Sequence, residues 1–87
     1  MEVFTKFELD EIFDFIDHTK GMSINGKEIS CFKDLHTLAS GTGQIVSNVV
    51  LTDYIEQVNL LKDSYEAFGC NDCSLFDKII RFLEGRK

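Results

Sequence analysis

The chain has 87 residues, 44% of them apolar, with eight Phe, no Pro and a net charge of −6. That apolar share excludes wholesale disorder, and the length predicts a single compact domain over residues 1–87 with one small core. Fifteen Asp and Glu against nine Lys and Arg give a field that repels phosphate, which argues against nucleic acid as a partner.

The first predicted element is a helix from Thr5 to Lys20. Thr5 and Glu8 stand three apart, the spacing of a capping box, and Phe4 and Leu9 occupy the positions of a hydrophobic staple. Leu9, Ile12, Phe13 and Ile16 recur at helical period and predict the buried stripe. Asp10, Glu11, Asp14 and Asp17 fall on the far side with His18. Acids early in a helix complement its dipole, but Asp14 and Asp17 come too late to gain and repel their neighbours. These four carboxylates are the candidate binding residues, suited by charge to Lys and Arg on another protein.

Gly21 predicts the helix end. Met22–Ser30 then reads as a short ribbon, in which Ile24 and Ile29 flank Asn25-Gly26, the pair that best tolerates a type I′ turn. Ser30 is the predicted N-cap of a second helix through Ala39, burying Phe32, Leu35 and Leu38. Ser40-Gly41-Thr42-Gly43 breaks it. Gln44–Leu51 fits either a strand or one or two helical turns, because Ile45, Val46, Val49 and Val50 are β-branched.

From Asp53 a third helix is expected, with Glu56 at +3 as an Asp-led capping box and Gly69 past the end. Leu51, Tyr54, Val58, Leu61, Tyr65 and Phe68 alternate spacings of three and four, a helix-pair seam expected to pack on the first helix or on a second copy. The last helix, Asp72 to Glu84, carries a wide stripe of Leu75, Phe76, Ile79, Ile80, Phe82 and Leu83. The predicted fold class is therefore mainly α: a small bundle of three to five helices with a short Asn-Gly β-hairpin. The alternative is α+β, with Ile45–Leu51 as a strand.

Three cysteines are an odd number, no secretory pattern opens the sequence, and no apolar run approaches the roughly 20 residues that span a bilayer. A reducing, cytoplasmic setting and no membrane contact are expected. Cys70-Asn71-Asp72-Cys73 at a helix start allows a thiol switch, or half of a zinc site completed by Cys31 with His36 or His18. The α/β frame of a redox protein and the second ligand pair of a zinc site are both missing from the pattern, so no metal or cofactor is expected. Ala39–Gln44 lacks the Lys and glycine spacing of a phosphate loop.

Residues 34–50 resemble a helix-turn-helix of the lactose-repressor class at Asp34, Ala39, Gln44, Val46, Ser47, Val49 and Val50. The resemblance implies DNA reading by a dimer. The chain departs from that pattern at His36, Ser40 and Gly41, and its would-be recognition helix has no Lys or Arg. His18 and His36 have no evident nucleophile partner, and no catalytic set is read. The expected function is that of a small acidic, non-enzymatic regulator or inhibitor. It would bind a basic protein surface as a monomer or homodimer and could occlude a nucleic-acid or ligand site. Small acidic domains of this class are similar to inhibitors made by phages and mobile elements against host defence.

Overall fold

The structure, a computed structural model, describes residues 3–41, 46–67, 69 and 74–87. Among them are four helices and one antiparallel hairpin: α1 (Lys6–His18), β1 (Ser23–Ile24), β2 (Lys27–Glu28), α2 (Phe32–Ala39), α3 (Asn48–Ala67) and α4 (Ser74–Glu84). The mainly α class with a short hairpin is the one observed. Two compact units divide the chain: Val3–Ile45 carries α1, the hairpin and α2, and the other, which includes Val46–Lys87, carries α3 and α4.

In the first unit α1 begins where the capping box places it. Glu8 N–H donates to Thr5 Oγ1 at 3.1 Å, and Thr5 N–H donates to Glu8 Oε1 at 2.8 Å. Phe4, before the cap, is buried and Leu9 is half-buried. The helix ends at Thr19, whose backbone N–H donates to Phe15 O at 2.9 Å and whose hydroxyl donates to the same carbonyl at 2.6 Å. A hydroxyl satisfied in this way tolerates the burial of Thr19. Met22 N–H then donates to Thr19 O at 3.0 Å, closing a turn with Gly21 third, at φ +74°. The glycine thus serves the turn after the helix rather than the helix end itself.

The interior of this unit is built on Ile12, fully buried, with Ile29, Phe32, Leu35 and Leu38. Burying side chains of this size contributes about 1.5–3 kcal/mol each. The predicted stripe needs one correction. Phe13 is 56% exposed, standing edge-on to His36 with ring centroids 5.4 Å apart. Phe15 is the aromatic that turns inward, its ring tilted on Phe32 at 5.1 Å. The two phenylalanines lie on opposite flanks of the Ile12 face, and the position of Phe32 on α2 selects Phe15.

The hairpin forms as the Asn-Gly pair predicts, with Ser23 opposite Glu28 and Ile24 opposite Lys27. Ile29 N–H continues the pairing to Met22 O at 2.9 Å, and its side chain is 1% exposed. The expected Ser30 cap is displaced by one residue: α2 follows Cys31, which makes no side-chain capping bond.

In the second unit α3 begins earlier than predicted. Ser47 Oγ accepts from Val50 N–H at 3.3 Å, and Ser47 O accepts from Leu51 N–H at 3.0 Å. Asn48–Leu51 are therefore helical, which overturns the strand alternative for those residues; Gln44 and Ile45 lie outside the described residues. Asp53 is interior to α3 and caps nothing. Its carboxylate instead accepts from Gln57 Nε2 at 2.8 Å, which satisfies a buried amide.

The seam of α3 buries Leu51, Val58 and Leu61 and half-buries Tyr54 and Tyr65, while Phe68 lies outside the described residues. Its partner here is α4, with Tyr65 edge-on to Phe76 at 5.4 Å. The wide stripe of α4 is largely interior: Phe76, Ile79, Phe82 and Leu83 are buried, Leu75 and Ile80 half-buried. Lys62 on α3 is hydrogen-bonded to Asp77 on α4 and lies 3.9 Å from Glu66.

Candidate functional site

The capping box fixes where α1 starts, and the burial of Ile12 fixes which residues face water. With about 100° per residue, Asp10, Asp14 and Asp17 fall within an arc of about 60°, and Glu11 borders it. Along the axis Asp10 to Asp17 covers about 10 Å. Asp10, Asp14 and Asp17 are exposed and Glu11 is half-buried, while Ile12 on the opposite side is sealed. None of the four carboxylates makes a side-chain hydrogen bond or ion pair among the described residues.

Glu11 and Asp14 share a shallow depression of about 190 Å³ with Phe15 and His18, whose rings meet edge-on at 6.1 Å. That volume is below the ~300–1,000 Å³ typical of small-molecule pockets. A second cleft, of about 330 Å³, runs between the end of α1 and the start of α2. It sets Asp17 and Glu28 against Lys20 and Lys33, so its charges balance.

The sequence reading missed one residue of this face. Phe7, 72% exposed, projects between Glu11 and Asp14 in the helical projection, one turn before Glu11. The signal was present as the spacing of four and seven from Phe7 to Glu11 and Asp14. Apolar character alone would have assigned Phe7 to the core. Here the packing of the Ile12 face sets the rotation of α1 and leaves Phe7 outward.

No protein family, curated protein or solved structure matches the chain. The reading of the site thus rests on its own geometry.

The other sequence-level candidates fare unequally. Cys70 and Cys73, the proposed thiol or metal pair, lie outside the described residues. Cys31 is buried, and no group of three or more His, Cys, Asp and Glu stands ready for a metal among the described residues. For the helix-turn-helix resemblance, Val46 and Ser47 precede α3 instead of lying in a helix, and Gln44 and Ile45 lie outside the described residues. No described helix is long and apolar enough to cross a membrane.

Proposed function

We propose that the protein is a non-enzymatic regulator or inhibitor that docks on a basic surface of a partner protein through Asp10, Glu11, Asp14 and Asp17. One observation carries the reading: the four carboxylates of α1 hold no ion pair among the described residues, and Asp10, Asp14 and Asp17 are exposed on the side opposite the sealed Ile12. Repulsion among them is relieved when Lys or Arg of a partner arrive, so association is favoured and steered by charge. Phe7, set among them, adds an apolar contact of the kind that anchors interfaces. A surface able to hold these carboxylates is also one able to hold phosphates, so occlusion of a nucleic-acid or ligand site follows as the mode of inhibition. A cytoplasmic setting and a monomer or homodimer belong to the same proposal.

The test is affinity isolation from the native host at low and high salt, with Asp14→Lys and an Asp10→Asn/Glu11→Gln/Asp14→Asn/Asp17→Asn variant as controls. A basic protein retained only by the wild type, and released by salt, is expected. In the reconstituted pair, Asp14→Lys should slow association with little change in stability. Equal capture by wild type and the neutralised variant, or salt-insensitive retention, would refute the assignment.

A further inference from the structure

Asn25-Gly26 is the single Asn-Gly pair of the chain; Asn48, Asn59 and Asn71 are followed by Val49, Leu60 and Asp72. The two residues form the whole turn between β1 and β2. Their φ angles, 53° and 79°, are the left-handed pair that a type I′ turn requires, and both residues are exposed. Among the described residues neither the Asn25 carboxamide nor the Gly26 N–H holds a hydrogen bond. The space beside the Gly26 Cα is open, with nothing within 4 Å of where a Cβ would stand. Attack of a backbone nitrogen on the preceding carboxamide is normally hindered by the following side chain, by hydrogen bonds or by rigid backbone. The first two obstacles are absent here. The third is weak, because each strand is only two residues long.

We propose that Asn25-Gly26 is a self-modification site that converts to an aspartyl or isoaspartyl linkage and thereby opens the hairpin. The Gly26 nitrogen, losing its proton to solvent base, forms a bond to Asn25 Cγ. The carboxamide nitrogen leaves as ammonia, and a five-membered succinimide remains. Water then adds to one of the two ring carbonyls, that carbonyl's bond to nitrogen breaks, and the nitrogen regains a proton. Breaking the bond at Cγ restores the normal backbone with a carboxylate side chain. Breaking it at the backbone carbonyl leaves the chain running through Cγ, one carbon longer. Water is the sole co-reactant, and nothing is oxidised or reduced.

Both products add a negative charge, but only the isoaspartyl form lengthens the turn. Register in a two-residue hairpin is set by turn length. Ile29 depends on that register for its bond to Met22 O and for its place in the interior. The insertion therefore frees Ile29 and loosens the first unit, in proportion to the age of the molecule.

The full chain, incubated in mildly alkaline buffer made with heavy-oxygen water, tests this by peptide mapping and hydrogen exchange. The Asn25 peptide should gain about one dalton from the exchange of NH2 for OH, plus the excess of one heavy oxygen. It should resolve into two products, and do so faster than the peptides of Asn48 and Asn59. In the isoaspartyl fraction the Ile29 amide should exchange about tenfold faster or more. Asn25→Asp, which adds the charge without the carbon, should keep Ile29 protected. Conversion at Asn25 no faster than at Asn48 and Asn59 overturns the site. Undiminished Ile29 protection in the isoaspartyl fraction, or equal loss of protection in Asn25→Asp, overturns the opening.

Discussion

At the scale of single residues, Phe13 and Phe15 show what a helical period can and cannot specify. Both sit beside the Ile12 face, and the choice between them is made by a ring on another element, Phe32. No one-dimensional pattern contains that information. Phe15→Ala should therefore cost about 3 kcal/mol, less a discount for its partial exposure. Phe13→Ala should stay within about 1 kcal/mol, its contact with His36 being a surface one. Urea unfolding of the two variants side by side decides the matter, and equal losses would restore Phe13 to the stripe. The carboxylates were legible for a different reason. A residue whose ideal place is water needs no partner to be placed, so Asp10, Asp14 and Asp17 are exposed as their pattern requires. Phe7 escaped notice because exposure of an aromatic contradicts the default, and only the rotation of α1 settles it.

At the scale of elements, two local motifs whose partners lie within about one helical turn were readable in the sequence. The Thr5–Glu8 box and the Asn25-Gly26 turn are both of this kind, and both are present. Thr5→Ala removes the bond to Glu8 N–H and should cost about 1 kcal/mol, measured by chemical denaturation. Asp53 and Glu56 satisfy the same motif and yet cap nothing, because Ser47 offers a cap six residues earlier and the intervening turns continue the α3 seam. A cap motif is a local offer, and helix length decides whether it is taken. The contact of α4 with α3 is likewise invisible in spacing, since one seam fits several possible partners. Lys62 and Asp77 mark the chosen pairing. Both are partly exposed, so a double-mutant cycle on Lys62→Ala and Asp77→Ala should give a coupling below about 1 kcal/mol that shrinks as salt is added. A coupling of zero at low salt would remove this pair from the account of why α4 settles on α3.

At the scale of the whole molecule, charge is spread unevenly along the chain. Residues 3–18 are strongly acidic, whereas the last helix and tail carry Lys78, Arg81, Arg86 and Lys87, with Arg86 lying over the Phe82 ring at 5.5 Å. The helices were legible from periodicity and the hairpin from its Asn-Gly turn, but the division into an α1–α2 unit and an α3–α4 unit was not, since spacing says which faces are greasy and not whom they meet. The buried thiol of Cys31, 1% exposed at the start of α2, gives that first unit an intrinsic gauge. In a Cys70→Ser/Cys73→Ser background, an alkylating reagent can reach sulfur only when the packing around α2 parts. The labelling rate then reads how often that happens, and Ile12→Ala, by leaving a void beside the hairpin and α2 core, should hasten it severalfold. One shielded sulfur atom makes the breathing of this half of the protein countable, without a probe having to be built in.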